Sequence, residues 1–437
     1  KTILYEGEWW WNWVHEAGED INGDGIEDVL LESEGWDAEN DKDISEMRAL
    51  DGKIGSELWK KDFTGYDIGC CYYACGDLNG DGLNDIVVDG GDWENNKCGV
   101  WAIRGYDGHI IWEKHFYGWC YAHYCCCCEW YDFNGDGLSD VLIENNDYRN
   151  DTAEVLVIRG YDGAPLWKKS YSNVSDVDAD ISDDINGDGI PDICVFLEKQ
   201  GTAEVQMMNG KNGLFMWTKT FAKNIDKMNV CGDLNDDGKY DVVLVNETEI
   251  ENTKHIYEII SLNGVNGNVL WKNLFTHIVD IEVPEDAWVH SWAYAWGCMD
   301  LSGDGVTDIF LEIEWDYDYH YWDENTSSWV EEEYSAGKLV LVSGEDGSEI
   351  WSAEYGVDER SHWGCICLCD DFNGDGIVDV VVKNTKGIYL LTIGEAANIP
   401  PTATIDSITP DPAIQGKDIV HFRGHGNDSD GSVVAYE

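Results

Sequence analysis

Basic residues are scarce in this chain. It has 27 Lys and Arg against 87 Asp and Glu, a formal net charge of −60. Nucleic acid and anionic membranes both require basic patches on a protein. No apolar run approaches the roughly 18 residues of a membrane helix. We therefore expect neither a nucleic-acid partner nor a membrane span in this chain.

The chain also lacks the periodicity of helices and the residue patterns of most enzymes. Apolar residues do not recur at the helical spacing, so helical and heptad architectures are excluded. No nucleophile–base pair, phosphate-binding loop or Cys-x-x-Cys-His haem motif is visible. Acidic pairs are abundant, but no glycosidase dyad can be singled out among them. We therefore expect a protein that is not an enzyme.

An aspartate-rich pattern, D-x-N-G-D-G-x-x-D, recurs along the chain. It begins at Asp20, Asp77, Asp132, Asp184, Asp233, Asp300 and Asp371. The fifth copy has Asp236 in place of the first glycine, and the sixth has Ser302 in place of the asparagine. Recurrence of one motif at intervals of about fifty to seventy residues indicates a repeat architecture.

The pattern fits calcium, which binds about six to eight oxygens in flexible geometry, better than magnesium, which needs a stricter octahedron. Positions 1, 3, 5 and 9 offer side-chain oxygens, position 7 a backbone carbonyl, and the glycine at position 6 permits the sharp turn. We expect about seven calcium ions. The predicted ligands are Asp20, Asn22, Asp24, Ile26 and Asp28; Asp77, Asn79, Asp81, Leu83 and Asp85; Asp132, Asn134, Asp136, Leu138 and Asp140; Asp184, Asn186, Asp188, Ile190 and Asp192; Asp233, Asn235, Asp237, Lys239 and Asp241; Asp300, Ser302, Asp304, Val306 and Asp308; and Asp371, Asn373, Asp375, Ile377 and Asp379.

An EF-hand loop begins with the same residues and is the alternative to a loop between strands. It requires a bidentate glutamate at position 12 and a helix on each side. Position 12 is apolar here, as at Leu31, Val88 and Ile143. A calcium loop between strands is therefore favoured.

A second motif, G-x-x-G-x-x-x-W, follows each of the first six aspartate loops. Its glycines and tryptophan are Gly52, Gly55 and Trp59; Gly105, Gly108 and Trp112; Gly160, Gly163 and Trp167; Gly210, Gly213 and Trp217; Gly264, Gly267 and Trp271; and Gly344, Gly347 and Trp351. Glycines at this spacing supply the positive φ of a hairpin turn, and the tryptophan packs a strand.

Short apolar runs between the motifs indicate strands buried on both faces, and each repeat has room for about four of them. Four short strands make one propeller blade. The sequence therefore predicts an all-β fold, a seven-bladed β-propeller over residues 1–395. We expect Ile3–Tyr5 to pair with Tyr389–Thr392, so that the N-terminal strand closes the ring and leaves no open edge.

The aspartate motif resembles the FG-GAP/VCBS-type repeats of integrin α-subunit propellers and of microbial surface proteins. That resemblance implies calcium in loops between blade strands and a role in adhesion or ligand binding. The glycine–tryptophan turn resembles the docking motif of quinoprotein-like propellers. Quinoprotein dehydrogenases have eight blades, however, and no residues here mark a quinone site.

The composition changes after the propeller. Residues 396–401 form a linker, and residues 402–437 resemble the first part of a PKD-type, immunoglobulin-like sandwich. This segment is too short to complete that sandwich. We expect the missing strands to come from a longer chain or from another chain.

Three features favour an oxidising, extracellular location. The chain starts at Lys1 without a methionine, as a mature protein does after signal removal. It has N-glycosylation sequons at Asn150, Asn173, Asn246, Asn325 and Asn427, which mildly favour a secreted glycoprotein. Its 15 cysteines are many for a cytosolic protein.

Most cysteines precede a metal loop, on the strand that should be innermost in its blade. We expect a disulfide between Cys70 or Cys71 and Cys125 or Cys126. Buried thiols, a soft-metal site near the central channel with His123 or His362, and redox chemistry are the alternatives.

Aromatic and acidic residues alternate from Trp315 to Trp322, where the sixth repeat has an insertion. We expect a hairpin from Trp315 to Tyr334 that protrudes and carries the main partner contact. The alternative is a hairpin packed against its own blade.

Taken together, these features predict an extracellular cell-surface structural or adhesion protein. Its partners would be other surface proteins or glycans, with self-assembly as one form of contact. The alternative is a calcium-dependent lectin or a secreted, lyase-like polysaccharide enzyme. A lyase requires a basic or tyrosine side chain as its base, and basic residues are scarce here.

Overall fold

The fold is all-β, and strands are its only regular elements in the part of the chain that the structure describes. The computed structural model describes residues 9–15, 20–37, 42–68, 76–92, 94–123, 131–222, 225–251, 253–278, 283, 288–297, 300–323, 328–357, 365–368, 380–384, 387–391, 402–409 and 421–427. Two compact units divide the chain. The first comprises Ile3–Asn246 and Glu258–Asn273, and the second Lys1–Thr2, Glu247–Tyr257 and Leu274–Glu437.

Six sheets have four strands each, arranged in chain order. The first three are β1 (Trp9–His15), β2 (Val29–Asp37), β3 (Lys42–Leu50) and β4 (Glu57–Thr64); β5 (Asp67–Ile68), β6 (Ile86–Asp92), β7 (Lys97–Ile103) and β8 (Ile110–Tyr117); and β9 (Trp119–His123), β10 (Val141–Asp147), β11 (Thr152–Ile158) and β12 (Pro165–Ser172). The next three are β13 (Asp176–Ile181), β14 (Ile193–Lys199), β15 (Thr202–Met208) and β16 (Phe215–Phe221); β17 (Lys227–Cys231), β18 (Asp241–Glu251), β19 (Lys254–Leu262) and β20 (Val269–Ile278); and β21 (Trp288–Gly297), β22 (Ile309–Asp323), β23 (Ser328–Val342) and β24 (Glu349–Val357).

Two smaller sheets follow. One contains β25 (Cys365–Leu368), β26 (Val380–Asn384) and β27 (Gly387–Leu391), and the other β28 (Thr402–Thr409) and β29 (His421–Asn427). The N-terminal segment Ile3–Tyr5 lies outside the described residues, so closure of the ring stays a prediction. The seventh blade and the immunoglobulin-like character of residues 402–437 also stay predictions, because only part of each segment is described.

The apolar runs form strands, as predicted, and each is the second strand of its sheet. Ile86, Val87 and Val88 have no exposed surface, and Leu142 and Ile143 are equally buried. Side chains alternate between the two faces of a strand, so such runs require a layer on each side. Four-stranded meanders whose second strand is covered on both faces have the arrangement expected of propeller blades.

The glycine–tryptophan motif joins each sheet to the next one in the first unit. Trp112 lies on the outermost strand β8, and its Nε1 donates a hydrogen bond of 2.5 Å to the carbonyl oxygen of Gly160 in the following sheet. Its ring also packs on Gly163, where a Cβ atom would come within 2.9 Å of the indole. The same bonds run from Trp59 to Gly105, from Trp167 to Gly210 and from Trp217 to Gly264.

The second glycine of the motif is required for two reasons. Gly108, Gly163, Gly213 and Gly267 all have φ between 65° and 70°, a region that side chains with a Cβ rarely occupy. Each of them also faces the indole of the preceding sheet. The motif is therefore a docking device as well as a hairpin turn.

The insertion in the sixth repeat forms a long hairpin, but the predicted role of Trp315 is wrong. β22 and β23 have 15 residues each, whereas β14 and β15 have 7. Trp315 has no exposed surface and lies opposite Ser291 in the register of β21 and β22. Asp316 is also buried. The base of the hairpin therefore belongs to the core, because Trp315 is still paired with β21 inside the four-stranded sheet.

Replacing Gly213 by alanine tests the docking of Trp167. A Cβ at Gly213 would lie 2.8 Å from the indole of Trp167 and would occupy a φ of +67°. Gly201 is a matched control, since its φ is +73° and no atom lies within 4 Å of the place that an added methyl group would take. Both substitutions incur backbone strain of about 1–3 kcal/mol, and we expect G213A to cost at least about 1 kcal/mol more than G201A. Equal losses of unfolding free energy in urea would contradict docking through this glycine.

Candidate metal centres

Each described aspartate loop connects the first and second strands of its sheet. The side chain of the first aspartate stabilises the turn by accepting hydrogen bonds from backbone N–H groups. Asp184 Oδ1 accepts from Gly187 at 2.7 Å and Asp188 at 2.9 Å, and its Oδ2 accepts from Gly189 at 2.7 Å. Burial opposes ionisation of this carboxyl, but those N–H donors hold the pKa of Asp184 below its usual value. Asp184 therefore organises the backbone of its turn through its carboxylate.

The glycine at position 6 has a left-handed conformation in all six described loops. Its φ is 86° at Gly82, Gly137 and Gly189. Position 4 is left-handed too, and the fifth loop places Asp236 there with a φ of 57°. Aspartate is one of the few residues that tolerate this region. The departure from the motif at Asp236 therefore leaves the shape of the loop intact.

The ninth aspartate is buried, unlike the exposed residues in the middle of the loop. Asp85, Asp192, Asp241 and Asp308 have no exposed surface. Burial is the main cause that raises the pKa of Asp85 to about 7 and that of Asp241 to about 6, and the carboxylates at position 5 add to it. These sites therefore hold crowded negative charge that a cation would stabilise.

The ninth aspartate also accepts a hydrogen bond from the glycine turn that follows in the same sheet. The sequence analysis did not predict this contact. Asp192 Oδ1 accepts a hydrogen bond of 3.1 Å from the N–H of Gly210. The equivalent bonds run from Gly52 to Asp28, from Gly105 to Asp85, from Gly160 to Asp140, from Gly264 to Asp241 and from Gly344 to Asp308. The only sequence signal for this bond is that one glycine turn follows each of the first six loops.

Positions 3 and 5 complete each loop. The amide of Asn22 donates to Asp28 at 2.9 Å, and Asn79, Asn134, Asn186 and Asn235 bind their ninth aspartates in the same way. Ser302 in the sixth loop has no such amide, and its hydroxyl lies 3.4 Å from Asp300 instead. At position 5, Asp24 pairs with Lys53 at 3.1 Å.

The donor set fits a hard divalent cation. Each described loop brings three carboxylates and an amide or hydroxyl oxygen into one nine-residue turn, which is the ligand chemistry that calcium prefers. In the described residues, however, no three His, Cys, Asp or Glu side chains converge as a closed metal-binding group. The carbonyl role of position 7 stays a prediction. The seventh loop, from Asp371 to Asp379, lies outside the described residues.

The cysteines differ from expectation. Cys70, Cys71, Cys125 and Cys126 lie outside the described residues, so their predicted disulfide is untested. A disulfide joins Cys98 on β7 to Cys120 on β9, with a Cα separation of 5.7 Å. No repeat of spacing marks this pair in the sequence. Cys194 is a buried free thiol, and Cys231 is also buried.

Comparison with known proteins assigns no family to this chain. No protein-family model matches the chain, and no curated protein matches it. The resemblances to FG-GAP/VCBS and PKD modules therefore stay predictions. Within the described residues no helix is long and apolar enough to cross a membrane.

Many solved structures are similar at low identity. The β-propeller domain of the trilobed protease from Pyrococcus furiosus is 10% identical, with 88% of this chain and 96% of that chain covered and a TM-score of 0.38. The WD40 domain of SCAP from fission yeast is 10% identical, with 84% and 91% covered and a TM-score of 0.40. A rhamnogalacturonan lyase of Bacillus licheniformis is 16% identical, with 86% and 69% covered and a TM-score of 0.41.

The expectation that the chain is not an enzyme is corrected by these comparisons. Three of the similar structures are rhamnogalacturonan lyases, at 16%, 13% and 11% identity. Similarity at that level assigns no activity to this chain. The lack of a recognisable nucleophile–base pair is equally no ground for denying one, because catalytic groups are identified by their geometry and not by their spacing in the sequence.

Two substitutions within the fourth loop separate its structural role from its metal role. Asp192 accepts hydrogen bonds from the backbone of Asn186 and Gly210, both at 3.1 Å. Asp188 is exposed and accepts from Ile190 within the turn and from the side-chain amide of Asn209. We expect D192N to lower the melting temperature by about 2–5 °C with or without calcium, since a buried acceptor oxygen is lost. We expect D188N to lower it mainly when calcium is present, since its one bond outside the loop, to Asn209, is exposed to solvent. Melting curves in excess calcium and in excess chelator check both; identical responses of the two variants would contradict the assignment.

Proposed function

We propose that this chain is an extracellular, calcium-stabilised propeller that mediates contacts with surface proteins or glycans. The observation that carries the proposal is the repeated link between a carboxylate-rich loop and the glycine turn of the same sheet. A cation in such a loop stabilises the turn, and through it the docking of the preceding sheet. The propeller is then rigid only where calcium is supplied.

Two observations support an extracellular location for that role. Extracellular calcium modules bind at about 10⁻⁴–10⁻³ M, so loops of modest affinity are filled outside cells. The disulfide between Cys98 and Cys120 fits an oxidising compartment, where such bonds persist. The calcium range and the disulfide both suit an acidic extracellular protein that divalent ions stabilise.

The distal part of the β22–β23 hairpin is the contact surface in this proposal. The two strands stay paired as far as Asp323 and Ser328, which is well beyond the buried Trp315. Packing of a four-stranded sheet does not require this additional length, because the strands of the fourth sheet are half as long. An extension of this kind suits recognition of a partner outside the sheet.

Shortening the hairpin tests the contact. Tyr317 lies opposite Tyr334, so residues 318–333 can be replaced by an Asn-Gly turn without changing the register. We expect binding to fall by at least about tenfold because the contact area is removed, while the melting temperature and calcium content stay unchanged. Binding is measured on an array of neutral and acidic polysaccharides and by self-association of the full chain.

The control for this deletion is Tyr117→Ser, which removes an aromatic side chain that is 67% exposed on β8. It should bind like the unaltered chain. Equal binding by the shortened chain would overturn the hairpin assignment. Release of unsaturated sugar products, detected by ultraviolet absorbance, would replace a contact role by polysaccharide cleavage.

A further inference from the structure

A buried polar cluster lies apart from the metal loops, entirely within the second unit. It contains Glu247 of β18, His255 and Tyr257 of β19, His277 of β20 and Ser291 of β21. His255 and His277 are 2% and 3% exposed. Fully buried imidazoles in a strand are unusual unless their nitrogens find partners.

Hydrogen bonds fix the orientation of one imidazole. Nδ1 of His255 lies 2.8 Å from Oε1 of Glu247 and 3.0 Å from Oγ of Ser291, and the hydroxyl of Tyr257 lies 2.8 Å from the same Oγ. Ser291 also donates to Glu247. A carboxylate accepts only, so the contact with Glu247 assigns the proton of His255 to Nδ1. Nε2 of His255 is then a bare acceptor.

Two imidazole nitrogens of the cluster have no hydrogen-bond partner. They are Nε2 of His255 and Nδ1 of His277, and both are buried. A proton added to Nδ1 of His277 would create a charged donor with no acceptor in a buried site, and the desolvation of such a group is strongly unfavourable. The site therefore favours the neutral form of His277.

The strand register brings the two rings together. In the fourth sheet, Trp217 of the fourth strand lies opposite Met207, which is the penultimate residue of the third strand. We infer the same register for β19 and β20, which would pair Ser261 with Trp271. Moving equally far along both strands would then place His255 opposite His277. Residues opposite each other on antiparallel strands have Cβ atoms about 5 Å apart.

We propose that His277, packed against His255, is an acid-sensitive latch that fastens β20 and the β18–β19 hairpin to β21. Near neutral pH both rings are accommodated, and the network through Ser291 holds the three elements. Acid protonates His277 more readily in the opened segment than in the closed one. A fall in pH therefore opens this part of the second unit.

The charges that face His277 act in the same direction. Burial, His255 and Lys338 of β23, in that order, lower the pKa of His277 to about 4. The carboxylate of Glu247 accepts hydrogen bonds from His255 and Ser291. Because the pKa is lower in the closed state than in the open one, closure is fully stable above about pH 6.5 and weakens as the pH falls towards 4.

A metal ion is not the better interpretation of the cluster. Two imidazoles alone make a weak site, and among the described residues no group of three or more His, Cys, Asp or Glu side chains is arranged to hold a metal. The unpartnered nitrogens are therefore assigned to proton sensing.

Hydrogen-exchange protection of peptides from β19 and β20 tests the latch on the full chain in saturating calcium, which keeps the metal loops constant. From pH 7 to pH 5 we expect the opening equilibrium to increase on the order of tenfold in the unaltered chain. His277→Asn and His277→Leu remove the titrating ring, so that increase should disappear. His109→Gln, an exposed histidine of the first unit, is the matched control and should keep it.

A pH-dependent loss of protection that persists in both His277 variants would overturn the proposal. If the variants fail to fold, histidine resonances of the unaltered chain decide, since the latch requires His277 to stay neutral at pH 5. A resonance of His277 that titrates near 6.5 contradicts it. Retention of one equivalent of Zn²⁺, lost in the His277 variants, would make the cluster a metal site and would also overturn it.

Discussion

The hydrogen bond between the ninth aspartate of a metal loop and the first glycine of the next turn is the contact on which the repeated structure depends. In the fifth sheet the N–H of Gly264 lies 2.8 Å from Asp241. The carbonyl oxygen of the same glycine accepts the indole N–H of Trp217, at 2.6 Å. One glycine thus ties the loop of its own sheet to the tryptophan of the preceding sheet. The two sequence motifs are therefore connected to each other by hydrogen bonds through this glycine.

That arrangement places buried charge at every junction of a chain whose net charge is −60. The raised pKa values of Asp85, Asp140 and Asp241 reflect the cost of this burial first, and repulsion from neighbouring carboxylates second. A divalent cation removes both costs. Calcium would then act on the contacts between sheets, and not only on local loops, which gives the loops a reason to recur with every sheet.

The repeated features were predictable from the sequence because each occurs several times. The buried second strands, the left-handed glycines and the position of the loops followed from the two motifs. Single features did not follow. Trp315 is indistinguishable from an exposed aromatic in an alternating run, the pairing of Cys98 with Cys120 has no repeated spacing, and the meeting of His255 with His277 depends on strand register. Register and burial of unique residues are set by tertiary packing, which local patterns do not encode.

Counting bound calcium on the intact chain tests the account most directly. Native mass spectrometry compares the chain purified in millimolar calcium with the same chain after chelation, with melting curves recorded in parallel. The account predicts about seven ions, one for each aspartate loop of the sequence, and a lower melting temperature once they are removed. Retention of no more than one ion, with the same melting temperature in both states, would contradict it.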